Sequence, residues 1–239
     1  MSTPAPAATP SAAVATPTTA AQTPNPSATP LAATTQPHAT TYPTLTATRT
    51  PAVDDAVVMG LLSHSDFVDV VGDVHVVGEV RNETEGNLDR ISVRIMFYNQ
   101  WGTVSKIVDG PALMDVLGPR QVTPFVLAFP KPLAWESFTI RVTAQPSADE
   151  PVTSLRVTEY STAGIETGIL HVTGTVANEG DKTIQRAQVV VTLYDPWGTV
   201  VNAGFANTDP LSPGGEATFD CQFTEYTLME TIAVQVEPD

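Results

Sequence analysis

The sequence predicts an all-β protein: two tandem immunoglobulin-like antiparallel β-sandwiches preceded by a Thr/Pro/Ala-rich extended segment. Three observations carry that prediction. Apolar residues after residue 52 recur with period two, the second half of that region repeats the first, and the composition breaks sharply at about residue 52. The expected organisation is an extended segment at 1–52, a first sandwich at 53–145, a linker at 146–151 and a second sandwich at 152–239.

Residues 1–52 contain 15 Thr, 14 Ala, 10 Pro and 3 Ser, with no Gly, no acid and a single base, Arg49. Val14, Leu31, Tyr42 and Leu45 are the sizeable apolar side chains, too few to offset backbone ordering at ~1–2 kcal/mol per residue. Proline without glycine stiffens such a chain toward polyproline II, and at ~3.1 Å per residue it could extend roughly 160 Å. This composition is that of extracellular stalks and spacers, often O-glycosylated. Thr3, Thr9, Thr16, Thr23 and Thr29 each precede a proline, at intervals of six or seven residues. They are glycosylation candidates, or else drift in a low-complexity linker.

Residues 44–50, TLTATRT, differ from the rest of the segment. Thr44, Thr46, Thr48 and Thr50 alternate with Leu45, Ala47 and Arg49 between Pro43 and Pro51. Period two in a β-branched residue is a strand signal. With Leu45 as its one convincing anchor, this strand would need a sheet edge to join, in its own first domain or in a neighbouring molecule.

The duplication is plain. Residues 75–83, HVVGEVRNE, align with 171–179, HVTGTVANE, at an offset of 96, and IMFYNQWGTV (95–104) aligns with VTLYDPWGTV (191–200) at the same offset. The offset then slips to 94, pairing Phe125, Leu127 and Phe129 with Phe219, Cys221 and Phe223. It slips again to 92, pairing Ile140 and Val142 with Ile232 and Val234. Small slips between intact strands mark a duplicated domain. Within each copy Val74, Val76 and Val80 oppose His75, Glu79 and Arg81, as Leu170, Val172 and Val176 oppose His171, Thr175 and Ala177. Such alternation marks strands half-buried in an antiparallel sandwich, and about seven strands at spacings near ten residues are expected per unit. Gly78 and Gly174, in mid-strand at equivalent places, point to a bulge or a close approach. Asp195-Pro196-Trp197-Gly198 has type I turn residues, and Asn99-Gln100-Trp101-Gly102 is its counterpart.

These features resemble the FxLYD domain family: the Gly-x-Val-x-Asn strand, the aromatic-aliphatic strand VTLYD at 191–195, a Gly-Thr-Val, and a Pro-Gly turn before Phe. The first copy departs to IMFYN at 95–99. The resemblance spans roughly residues 56–237. It implies a β-sandwich module of envelope or secreted proteins, with no catalytic residue to carry over.

The chain carries 26 acids against 11 bases, a net charge of −15. That balance argues against nucleic acid and against an anionic membrane surface. No run of 18 apolar residues exists to span a membrane. Neither a basic n-region nor an apolar h-region follows Met1; the expectation is a cytoplasmic chain or, favoured by the N-terminal composition, an exported one whose signal has gone. A lone cysteine rules out an intrachain disulfide and a cysteine-ligated zinc site, and Cys221 reads as a small core residue. No nucleophile motif, Walker loop, HExxH or EF-hand loop is present, so no catalytic, cofactor or metal residue is assigned. His38 falls in the tail, His64 in a loop, and His75 and His171 on outward faces as solvated side chains. Asp66, Asp69 and Asp73 fit no calcium loop. Asn82-Glu83-Thr84 is a formal N-glycosylation sequon. Trp101 and Trp197 occupy the same hairpin tip in each copy. They meet a protein or a sugar, or they fold back over their own sheet or over the joint between domains. Two functions stand: a non-enzymatic extracellular structural or assembly protein, a fibre or surface-layer subunit that self-associates through its N-terminal segment; or a stalked cell-surface module binding a protein or glycan.

Overall fold

The computed structural model describes residues 56–131, 135–226 and 229–239. Leu45, the strand-like 44–50 and the Thr-Pro sites lie outside the described residues. The described residues fall in one compact unit, and they are all-β.

The first repeat holds seven strands: β1 (Val57–Val58), β2 (Gly60–Val68), β3 (Asp73–Arg81), β4 (Leu88–Tyr98), β5 (Val104–Pro111), β6 (Val122–Pro130) and β7 (Ser137–Pro146). They form two antiparallel sheets, ordered β1-β7-β4-β5 and β2-β3-β6. The second repeat holds β8 (Leu155–Ala163), β9 (Leu170–Asn178), β10 (Ala187–Tyr194), β11 (Val200–Asn207), β12 (Glu216–Phe223) and β13 (Thr231–Pro238). Its sheets are ordered β11-β10-β13 and β12-β9-β8. The second copy therefore has six strands rather than about seven, because nothing in it corresponds to β1.

Period-two alternation fills each core. Val74, Val76 and Val80 from β3 meet Val93, Ile95 and Phe97 from β4; Leu170, Val172 and Val176 meet Val189, Val191 and Leu193 in the second copy. Cys221 lies in that second core, as its alignment with Leu127 predicts. Close approaches explain the mid-strand glycines: a Cβ on Gly78 would sit 2.2 Å from the Phe125 ring, and one on Gly174 would sit 2.3 Å from Glu159 O and 2.7 Å from the Phe219 ring. The first strand of each copy carries a bulge at the same aligned place, between Leu61 and Ser63 and between Val157 and Glu159. His64 lies in β2, edge-on to Phe138, and not in a loop.

The two sandwiches pack face to face, so the four sheets form four layers. The outer face of β2-β3-β6 meets that of β11-β10-β13 through Val77, Val200 and Ala203, flanked by Phe67, Leu113, Val126 and Tyr194. Polar pins cross the joint: Ser65 Oγ donates to Val200 O at 2.7 Å, Gln235 Nε2 donates to Val122 O at 3.0 Å, and the Tyr194 hydroxyl donates to Glu79. The alternation in β3 breaks where Val77 replaces an expected polar residue, and that break is the interface.

Candidate functional site

The two hairpin tips are built alike. Gly102 N–H donates to Asn99 O at 2.9 Å, and Gly198 N–H donates to Asp195 O at 3.0 Å, closing each turn. The side-chain oxygen of the first turn residue then accepts two more amides. Asn99 Oδ1 takes Trp101 N–H and Thr103 N–H; Asp195 Oδ1 takes Trp197 N–H and Thr199 N–H. Gly102 and Gly198 adopt φ of 72° and 79°, the left-handed conformation a bulged hairpin needs and a side chain resists. Both tips are thereby fixed before any partner arrives.

On these tips Trp101 is 76% exposed and Trp197 is 78% exposed. Neither folds back over a sheet, and neither covers the interdomain joint, which is filled by Val77, Val200 and Ala203 instead. Each leaves unburied an apolar surface worth about 2–3 kcal/mol if covered. The same end of the first sandwich carries the β2–β3 tip, where Val70 is 95% exposed. The third connection of that end is there too, since Glu136 N–H reaches Tyr98 O. The equivalent end of the second sandwich exposes Ile165 beside the Trp197 tip. One end of each sandwich thus presents apolar side chains from two separate turns.

The two aligned strand histidines and Cys221 are engaged structurally. His75 and Asp69 pair at 3.0 Å, with Phe67 stacked on the imidazole at 4.7 Å. His171 pairs with Asp220 at 3.0 Å. Both histidines are therefore paired rather than freely solvated, because each faces an acid from the same hairpin or the adjacent strand. The Asp69 carboxyl is held below its usual range, chiefly by the hydrogen bond from His75, aided by the Asp73 and Val71 amides. Burial pushes the Cys221 thiol up to about 12, which leaves it a packing group rather than a nucleophile. Among the described residues no group of three or more His, Cys, Asp or Glu could hold a metal ion, and no helix is long and apolar enough to cross a membrane.

The Asn82 sequon is overturned by geometry. Asn82 is fully buried, its Nδ2 donating to Gly86 O, Leu117 O and Gly118 O while Oδ1 accepts from Thr84. In the folded chain that amide is enclosed, and a glycan on it would break all three bonds. Asn178 repeats the arrangement, donating to Lys182 O, Leu211 O and Ser212 O. The asparagine of each Gly-x-Val-x-Asn strand is a structural clamp; its recurrence in both copies was the signal available in the sequence.

No family model matches the chain, and no curated protein matches it in sequence. Among solved structures, a calcium-binding mutant of Bacteroides uniformis β-glucuronidase 2 is similar over 73% of this chain and 26% of its own, with 12% identity and a TM-score of 0.24. Red sea bream transglutaminase is similar over 76% of this chain and 29% of its own, with 11% identity and a TM-score of 0.23. The tandem CBM22-1–CBM22-2 domain of Paenibacillus barcinonensis Xyn10C is similar over 78% and 86%, with 10% identity and a TM-score of 0.19. The chain spans about a quarter of the β-glucuronidase it matches, and likenesses at these scores carry no activity over to it.

Proposed function

We propose that this chain is a non-enzymatic extracellular structural or assembly protein, a fibre or surface-layer subunit. In this reading its sandwich ends meet neighbouring subunits, and its N-terminal segment reaches one of them and carries O-linked sugars at the Thr-Pro sites. The observation that carries it is the pair of rigid, exposed tryptophan tips, built by the same hydrogen bonds in both repeats. An aromatic held in water on a pre-formed turn costs little ordering entropy when a partner covers it. The proposed residence outside the cell follows from the stalk-like composition and from the FxLYD resemblance. A second reading, a stalked cell-surface module that binds a protein or glycan, draws on the same tips, because an exposed indole is a platform for a sugar ring.

Sedimentation and electron microscopy of the full chain decide between them. Assembly predicts concentration-dependent association into filaments or sheets, lost in the Trp101→Ala/Trp197→Ala double variant while its melting stays within about 0.5 kcal/mol of wild type. A wild type that stays monomeric but loses capture on a glycan or protein array with the same substitutions establishes the second reading. Substitutions that lower stability and leave association intact remove the tips from both.

A further inference from the structure

One sheet edge is paired with a further strand in the first sandwich and unpaired in the second, where the Tyr160 hydroxyl donates to Ile232 O at 3.4 Å. In the first, β1 lies along β7, with Val57 opposite Ala144 and Val58 opposite Thr143, and Met59 N–H donates to Val142 O at 3.0 Å. The equivalent strand of the second sandwich is β13. It is the outermost strand of β11-β10-β13, and among the described residues no strand pairs with its free side. The ladder fixes which groups face outward. Asp239 N–H donates to Arg186 O, and the register runs Gln188↔Glu237, Val190↔Gln235, Thr192↔Ala233. The alternation of an antiparallel ladder then points the N–H and C=O of Val234 and Val236 away from β10. Val142 and Ala144, their counterparts, point the same way and are met by β1.

Beside that edge lies a cleft of about 540 Å³. Val234 and Val236 line it, with Val152 and Leu155 of the second repeat and Met114 and Leu117 of the first. Three acids, Asp115, Glu150 and Glu237, and one base, Arg156, also line the cleft, which leaves acids in excess.

We propose that this edge is the receiving site for residues 44–50 of a second copy of the chain, which would add as a strand and complete the four-strand order that β1 gives the first sandwich. Three properties of that segment fit. It alternates with period two, its outward threonines are at home on a sheet face, and Leu45 and Ala47 suit an apolar recess. Residues 1–52 hold one base and no acid, in a chain whose remainder carries 26 acids, so the field at the acidic cleft attracts it. Addition by main-chain hydrogen bonds is the general mode for an open edge. The inference rests on the assembly reading, and it names the surface through which one subunit takes hold of the next.

Val234→Pro in the full chain tests the site. Proline there removes a donor that faces away from β10, so the internal ladder keeps its bonds. The expected result is a variant with near wild-type melting that stays monomeric where wild type associates. A synthetic peptide of residues 43–51 should shift the Val234 and Val236 amide resonances of dilute wild type, saturably, and should disperse wild-type assemblies. Its affinity for the variant should fall about tenfold, the loss of one or two main-chain bonds. If wild type associates, the variant associates equally and the peptide leaves those amides unmoved, the site is wrong and the assembly reading stands. If wild type neither associates nor takes the peptide, both fail. Amides already protected in dilute monomeric wild type would show the strand docked within its own chain and overturn donation between copies. Should the variant not fold, the peptide titration on wild type decides alone.

Discussion

Asn82 and Asn178 each tie a strand end to two loops. Each side-chain amide serves three main-chain carbonyls from two loops. Asn82→Ala would take one donor from each of those carbonyls and the acceptor from the Thr84 amide and hydroxyl, and a cost of about 2–4 kcal/mol is expected in denaturant unfolding. Asn82→Asp should cost at least as much, since it turns an acceptor toward three acceptors. If the alanine variant unfolds like wild type, water has entered and the clamp is not structural. At this scale the sequence was legible where one residue type suits one environment. Cys221 aligned with Leu127 and is buried; Gly78 aligned with Gly174, and both leave room for a phenylalanine ring. It was illegible where the same letters serve two chemistries. Asn-Glu-Thr reads as a glycan acceptor until Asn82 is seen to be wholly enclosed, and a polar position on a strand did not show that His75 and His171 would each find an aspartate.

The strands follow from alternation, and the hairpin tips from turn chemistry: Asp or Asn to accept the returning amides, Gly to take the positive φ. Those signals act within a few residues, so they are visible without the fold. The strand count was less visible. Val57–Val58 is too short to announce itself, and it exists because the edge of β7 is there to pair with. Ahead of it, the first 52 residues hold Val14, Leu31, Tyr42 and Leu45 as their sizeable apolar side chains, too few to build a core. Deleting residues 1–52 is therefore expected to leave the cooperative melt unchanged to within about 0.5 kcal/mol. Intact-mass measurement of native material should find hexose-sized heterogeneity in the full chain and none in the truncated one. Loss of the melt would place the segment in a core, and a clean unmodified mass would remove the sugars from the proposal.

At the scale of the molecule, the joint between sandwiches carries a titratable group. Glu237 accepts Asp115 N–H with both carboxylate oxygens and sits buried in the interface. Burial pushes its carboxyl up to about 7; the Asp115 and Asp239 charges push the same way, and the Asp115 and Val116 amides oppose. Unfolded, such a group titrates near its ordinary 4.5. Between those values the folded state holds a proton that the unfolded chain has lost. The group's contribution is therefore complete below about 4.5 and is lost as pH rises through about 7. Glu237→Gln should remove that fall. Comparing unfolding free energies at about pH 5 and about pH 8, wild type should lose about 1–2 kcal/mol more than the variant. Equal slopes would mean the carboxyl is solvated in the folded protein.

The two repeats differ on the face that forms this joint. Phe67, Val77 and Val126 on the outer face of β2-β3-β6 align with Ala163, Thr173 and Asp220 on β8-β9-β12, so the second repeat presents a polar face where the first presents an apolar one. By itself the sequence determined the all-β class, the duplication, the turns and the two cores, because period and turn chemistry are properties of neighbours along the chain. Tertiary structure alone decided which outer face is buried, which edge is left unpaired, and that both tryptophans stand in water. Those outcomes depend on what a distant segment covers, and local pattern holds no record of it.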